Sequence, residues 1–379
     1  MIYLDNSATT KPEPSVINSY QQVSEKFYAN PSSIHTMGAE VEKLQTKARQ
    51  QAANLLRVHP DEMIFTSGGT EGNNLAIKGV AFEYKRRGNH IITTEIEHPS
   101  VYETCKALEE FGFHVTYLPV NQEGVVEIDQ VKAAITDDTI LLSMMAVNNE
   151  TGSIQPIQDV GELLKDYQKV MFHVDAVQAL GKVPLHLQEA NIDLCTFSGH
   201  KIHGLKGTGV LYKKQGVRLF PLFHGGNQEQ GIRPGTENVA GNIAFVRALR
   251  LVIEKEQETH EHLRHLQTSL LQGLEKIEAV HINSSIHGAP HIINFSVVGI
   301  HSETVIHAMY EAGFIISTQS ACSSKVNDTS RVLVAYGLSD EIAKTGLRVS
   351  LSHQTTLKEI EQFITTLSDT ITKLKTILR

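Results

Sequence analysis

Over residues 60–212 the chain repeats one rhythm: a short, nearly continuous apolar run, then a stretch with helical spacing. The runs are "EMIFTS", "HIITTE", "HVTYLPV", "TILLSMMAV", "VMFHVD", "LCTFS" and "GVLYKK", and the stretches between them include "EGNNLAIKGVAFEYKRRG", "VYETCKALEEFG" and "IQDVGELLKDYQ". A strand with one wet face alternates polar and apolar residues, whereas runs this uniform belong to strands covered on both faces. The repeat therefore predicts an α/β fold, a mostly parallel sheet flanked by helices.

After "IRPGTENVAGN" the texture changes to a long charged helix-forming stretch, about 242–277, then mixed strands such as "HIINFSVV" and a final amphipathic helix. That helix opens on a capping box, Thr356 with Glu359, and carries Leu357, Ile360, Ile364, Leu367, Ile371, Leu374 and Ile377 on one stripe. The 379 residues exceed the roughly 250–300 at which single cores stop growing. The expected division is a large domain over 15–256 and a smaller α+β domain built from 1–14 and 257–379.

A formal charge of −8 with no basic block argues against direct nucleic-acid binding. The start, "MIYLDNSATTKP", lacks the pattern of a signal peptide, and no apolar run reaches the roughly 18 residues of a membrane span, so a cytoplasmic protein with no membrane contact is expected. Cys105, Cys195 and Cys322 are widely separated and odd in number, which disfavours a disulfide framework or a metal cage within one chain. Any cysteine chemistry falls to a single thiol. The "HEHLRH" histidines 260, 262 and 265 lie on a charged helical stretch, so a solvated face is expected there rather than a metal site.

In an open α/β sheet, ligands bind beyond the carboxyl ends of the strands. Polar groups wait at five of these ends: Gly68-Gly69-Thr70-Glu71, Glu97-His98-Pro99, Asn148-Asn149-Glu150, Asp175 with Gln178, and Ser198-Gly199-His200-Lys201. The glycine turn opening a helix suits a phosphate. Singly, each has a plainer reading: Asp175 or His98 as a helix cap, His200 as a turn residue, Lys201 as a solvated lysine. Together, a phosphate cradle, a carboxylate and a lysine match the needs of pyridoxal 5′-phosphate, whose aldehyde takes a lysine amine and whose ring nitrogen takes a carboxylate. Lys206 is the rival amine, but it sits in a glycine turn further from the strand.

The motifs "YLDNSATT", "NPSSIH", "TSGGTEGNN", "EHPSV", "NNETG", "HVDAVQALGK", "SGHKIHG", "KGTG", "RPGTEN" and "SACSS" occur in the order found in cysteine desulfurases of the NifS/IscS type. The chain resembles that family along essentially its whole length, within the class V, fold-type I group of pyridoxal phosphate enzymes. The resemblance implies Lys201 as the Schiff-base lysine, Asp175 as partner of the ring nitrogen, and His98 as the histidine stacked on the ring and active in proton transfer. It implies Gln178 and Asn149 near the ring hydroxyl, with Gly69, Thr70, Ser198 and His200 around the phosphate and Thr236 joining them from a neighbouring subunit. Arg348 would clamp the substrate carboxylate, helped by Asn149 and Asn30.

Cys322 resembles the nucleophile that takes sulfur from L-cysteine as a persulfide, on a loop of the longer NifS/IscS kind. Cys195 in "DLCTFS" and Cys105 read as packing residues. The resemblance implies a homodimer and delivery of sulfur to an acceptor protein: an iron–sulfur scaffold, a tRNA-thiolating enzyme or a thiamine-pathway carrier. Selenocysteine lyase or aminotransferase activity is the alternative within the group.

Overall fold

The computed structural model describes residues 1–318 and 329–377. Strand β1 (Ile2–Tyr3) precedes two helices, Pro14–Lys26 and Thr36–Leu56, and then seven strands build the central sheet. These are β2 (Met63–Thr66), β3 (His90–Thr94), β4 (His114–Leu118), β5 (Thr139–Met145), β6 (Met171–Asp175), β7 (Leu194–Ser198) and β8 (Gly209–Lys213). Their spatial order is β2-β8-β7-β6-β5-β3-β4. Strand β8 pairs antiparallel with β2 and β7, and every other pair is parallel. Six strands thus end at one edge. Every residue of β2, β3, β5, β7 and β8 is buried, which is why their sequences read as unbroken apolar runs.

The helices that follow β2, β3 and β5 pack on this sheet and begin close to the expected places, at Gly69–Tyr84, Pro99–Glu110 and Ile157–Leu164. Gly68, the residue before the first of them, adopts φ +147, a region closed to side-chain-bearing residues. The turn from β2 into that helix therefore depends on glycine.

A second hydrophobic core gathers residues from both ends of the chain, among them Leu4, Leu263, Phe295, Val349 and Phe363. It is organised by an antiparallel sheet of β9 (Val280–Ile282), β10 (Ile292–Val297) and, further on, β12 (Gly346–Ser350), with β10 in the centre. Strand β11 (Phe314–Ile315) pairs parallel with β1. Beyond β1 the chain runs on beside β12, joined by Asn6 N–H to Ser350 O and Ser350 N–H to Leu4 O.

Three expectations need adjustment. The charged stretch 242–277 is two helices, Val239–Glu254 and Glu256–Leu274, with Lys255 between them outside helical geometry. The first packs on the helices Pro14–Lys26 and Thr36–Leu56 and the second on the last helix, Leu357–Ile377, so one local composition serves two cores. The last helix has its capping box, Thr356 N–H to Glu359 Oε2 (2.8 Å) and Glu359 N–H to Thr356 Oγ1 (3.3 Å). Its buried stripe is shorter than the sequence suggests: Ile360, Phe363, Leu367 and Ile371 are buried, whereas Leu357 and Ile377 reach solvent. Finally, of the three histidines expected on a solvated face only His265 is exposed, whereas His260 and His262 are half-buried and bonded to the backbone oxygens of Lys182 and Thr355.

Candidate active site

The carboxyl edge of the central sheet opens into a cavity of about 160 Å³ lined by Gly69, Thr70, His98, Asn149, Asp175, Gln178, Ser198, His200, Lys201 and Arg348. Most residues singled out in the sequence meet here. They do so because β2, β3, β5, β6 and β7 deliver their ends to one place.

Asp175, the last residue of β6, is buried and anchored from two sides. Its Oδ1 accepts the Val177 N–H (3.0 Å) and its Oδ2 accepts Asn73 Nδ2 (2.7 Å). The turn role and the cavity role coexist. Burial pushes the Asp175 carboxyl above its ordinary pKa, against the lowering effect of those two donors and of the Lys201 charge. A further positive charge beside this carboxylate would favour its ionised form.

Lys201 follows β7 on a short 3₁₀ turn, Gly199–Lys201. Its ammonium donates to the backbone oxygens of Ser7 and Ala8, the latter at 2.8 Å. Lys206 is exposed and does not line the cavity. His98 caps the helix Pro99–Glu110, its Nδ1 accepting the Ser100 N–H at 3.1 Å and lying 2.8 Å from the Ser100 hydroxyl. An Nδ1 that accepts leaves the ring proton on Nε2. Burial, helped by the charges of Lys201 and Arg331, pushes the His98 imidazole down to about 4, so it is neutral near pH 7. His200 is likewise pushed down to about 4, by burial and then Lys201.

Several polar atoms around the cavity are buried without a partner: Ser198 Oγ, Gln178 Oε1, Ser7 Oγ and Arg348 Nε. Unsatisfied buried donors and acceptors cost about 1–3 kcal/mol each, and so many at one spot mark a place built around a polar ligand. Ser198 Oγ and the free N-terminus of the helix Gly69–Tyr84, where Gly68 offers no side-chain cap, suit a phosphate. The unpartnered Gln178 Oε1 suits a hydroxyl and Asp175 a protonated ring nitrogen. The residues present thus fit pyridoxal phosphate.

Arg348 lies on β12 and is almost wholly buried. Its Nη1 donates to Asn149 O (2.9 Å) and its Nη2 to Asp5 Oδ1 (3.0 Å), leaving Nε–H toward a further acceptor. Asn30 is exposed, outside the cavity lining, with its Oδ1 accepting the Ser32 N–H. Thr236 is also exposed and lines a separate hollow with Ser67 and Gly207, so one chain alone does not bring it to Lys201. Cys195 and Cys105 are free and buried, the latter's thiol pushed up to about 12, mainly by burial. Cys322 lies outside the described residues.

The sequence model of the class V aminotransferases matches residues 2–363. The chain belongs to the class V aminotransferase family. It is 46% identical to a NifS/IcsS protein homolog of Lactobacillus delbrueckii, over 96% of this chain and 95% of that one. It is 43% identical to a cysteine desulfurase IscS of Clostridium botulinum, over 95% of this chain and 91% of the relative. A solved NifS-like protein superposes with a TM-score of 0.92 at 37% identity, covering 98% of this chain and 99% of its own. Family membership agrees with the lysine, the carboxylate and the orphaned polar atoms at the sheet edge.

Reasoning from residue types missed some members of the site. Asn73, which holds Asp175, lies one helical turn beyond Gly69, a spacing that could have found it. The Ser7 and Ala8 carbonyls that receive Lys201 carry no side-chain signature. Asp5, the partner of Arg348, sits in "YLDNSATT", where nothing local points to a residue 343 positions away.

Proposed function

We propose that the cavity at Lys201 carries out cysteine desulfuration: the chain is a pyridoxal phosphate enzyme that takes the sulfur from L-cysteine and leaves L-alanine. The observation that carries the reading is the convergence of Lys201, Asp175, His98 and Arg348 on one buried cavity. When bound, pyridoxal phosphate supplies an aldehyde for an amine and a ring that stores the electrons of a substrate carbanion. Lys201 Nζ would hold that aldehyde and afterwards move the substrate α-proton. Asp175 would keep a proton on the ring nitrogen, steadied by Asn73. His98 would lie over the ring and present Nε2–H, its other nitrogen being engaged by Ser100. Gln178, with Asn149, would meet the ring hydroxyl, and Gly69, Thr70, Ser198 and His200 the phosphate.

Arg348 would receive the substrate carboxylate at its free Nε edge while Asp5 and Asn149 hold the other nitrogens, a fixed fork no lysine could copy. Asn149 and Asn30 are proposed as its helpers. Cys322 is the proposed acceptor: an S–S bond forms to its sulfur, the C–S bond of the substrate breaks, and the thiol proton count is kept by the methyl of alanine and the terminal persulfide. The resemblance further supports a homodimer in which Thr236 completes the partner's phosphate site, and delivery of the sulfur to an acceptor protein. Two free buried thiols accord with a cytoplasmic setting. Two hydrophobic cores, the second drawn from Leu4 and from Leu263 onward, support a division into 15–256 and 1–14 with 257–379, with Ala289 and Ile292 packing on the first core at the junction.

Lys201→Ala should abolish alanine formation from L-cysteine and covalent retention of the cofactor after borohydride. Cys322→Ser should keep the cofactor's colour and form no persulfide. Full turnover by Lys201→Ala would refute the assignment, and a keto-acid requirement for turnover would favour an aminotransferase instead.

A further inference from the structure

Three side chains far apart in sequence, Glu13, His203 and His353, bring one ligand-type atom each to within 4.8 Å of one another. They sit outside the Lys201 cavity, on a second hollow of about 260 Å³ that also receives Lys182 and Lys255. Glu13 precedes the helix Pro14–Lys26, His203 lies two residues beyond Lys201, and His353 lies five beyond Arg348. The sulfur chemistry proposed above uses none of the three.

The local geometry of His203 is that of a ligand already oriented. His203 Nδ1 lies 3.0 Å from the Lys11 carbonyl, which can only accept, so Nδ1 carries the proton and Nε2 keeps its lone pair. That carbonyl takes the part an outer hydrogen-bond partner plays around a metal-bound imidazole. His353 Nε2 lies 3.2 Å from Glu13 Oε1, and the two imidazole rings meet edge to face with centroids 4.5 Å apart. Around a tetrahedral zinc with bonds of roughly 2.0–2.1 Å, neighbouring ligand atoms lie about 3.3 Å apart. The Glu13–His353 contact is close to that spacing; as a hydrogen bond it places a proton on His353 Nε2, which an ion would displace on binding, and all three ligand-type atoms lie within 4.8 Å of one another.

The backbone supports the same conclusion. His203 adopts φ +59, a left-handed conformation uncommon for residues other than glycine. It is held there by His203 N–H to Thr10 Oγ1 (2.8 Å) and Glu13 N–H to the His203 carbonyl (2.9 Å). Two of the three ligands are thus fixed to each other before any ion arrives. The neighbouring ammonium groups of Lys182 and Lys255 and the imidazole of His262 oppose a cation, which favours a strongly coordinating ion over a weakly held one such as magnesium.

We propose that Glu13, His203 and His353 form a binding site for one divalent transition ion of the zinc class, separate from the cofactor site, with a fourth position open to water. Two imidazoles and one carboxylate suit zinc, cobalt or nickel rather than calcium, which prefers six or more oxygens. An ion there would tie the segment before the first helix to both the Lys201 turn and the end of β12.

The test is calorimetric titration of the metal-free, cofactor-loaded enzyme with Zn²⁺, together with Co²⁺ spectra read to the red of the cofactor band. One equivalent of Zn²⁺ should bind, and Co²⁺ should give tetrahedral ligand-field bands that need no sulfur ligand. His353→Gln, at an exposed position, and Glu13→Gln should each weaken that binding by at least about tenfold with the secondary structure and cofactor spectrum unchanged. His203→Gln should do the same, and the two exposed-side variants decide the matter should it fold poorly. No Zn²⁺ binding, or wild-type affinity in His353→Gln and Glu13→Gln, overturns the proposal. Either result leaves the desulfuration reading where it was, because neither variant touches the Lys201 cavity.

Discussion

Glu97 offers the sharpest check on the electrostatics around the cavity. It is wholly buried between β3 and β5, its Oε1 accepting the Thr94 hydroxyl (2.8 Å) and the Met145 N–H (2.9 Å), while Oε2 has no partner. Burial raises its pKa from 4.5 to about 8, and the nearby Asp175 charge adds to the rise. An acid whose pKa is higher in the folded state binds its proton more tightly when folded. Its contribution is therefore fully present below about 4.5 and is lost as pH climbs through about 8. With ~1.4 kcal/mol for each pH unit, a span of this size amounts to ~5 kcal/mol. Glu97→Gln keeps an acceptor for Thr94 and Met145 but has no proton to lose. Urea unfolding of both proteins at fixed cofactor concentration should give similar stabilities near pH 4.5 and a growing advantage for the variant up to about pH 9, on the order of a few kcal/mol. Parallel pH profiles for the two proteins would refute the reasoning.

Three further outcomes follow from contacts around the same sheet. Asn73→Ala removes the donor to Asp175 Oδ2 and should cost about 1.5–3 kcal/mol of the interaction holding that carboxylate charged, seen as roughly 10–100-fold weaker cofactor binding in a spectrophotometric titration. Arg348→Lys loses the fork that spans Asp5, Asn149 and a third acceptor, and should lower kcat/KM for L-cysteine by about tenfold or more while the cofactor spectrum persists. Gly161→Ala, on the helix Ile157–Leu164, would place its Cβ 1.8 Å from the Ala190 carbonyl oxygen, and should lower stability by about 1–3 kcal/mol or more in denaturant melts without altering the cofactor's colour.

The sheet was legible because its burial is nearly uniform: a strand such as Thr139–Met145, buried at every residue, has no option but to look apolar throughout. The helices Pro14–Lys26 and Thr36–Leu56 carry no such mark. The first buries only Val16 and Val23 of its 13 residues, too sparse a stripe to stand out from polar chain. The break at Lys255 was hidden for a different reason, since helix formers continue on both sides and only the two separate packing partners require the bend. At the site, side chains at strand ends could be named because parallel strands finish together. Backbone acceptors and clusters assembled from positions such as 13, 203 and 353 could not, because nothing local relates them.

What those hidden contacts share is the segment from Asp5 to Glu13. Asp5 holds Arg348, the carbonyls of Ser7 and Ala8 receive Lys201, Ser7 O accepts Gln178, Thr10 binds the His200 carbonyl, and Glu13 meets His203. The lysine ammonium thus donates to two backbone carbonyls and also lies in the field of the Asp175 and Asp5 carboxylates. Hydrogen bonds from a charged amine to carbonyl oxygens are among the stronger ones and fix where the ammonium sits. The same strap reaches β12 through Asn6 N–H and the Ser350 carbonyl, so displacement of this segment would move the lysine's acceptors and the arginine's counter-ion together. The Lys201 amine and the Arg348 guanidinium, the groups proposed to meet cofactor and substrate, are thereby referenced to one stretch of backbone.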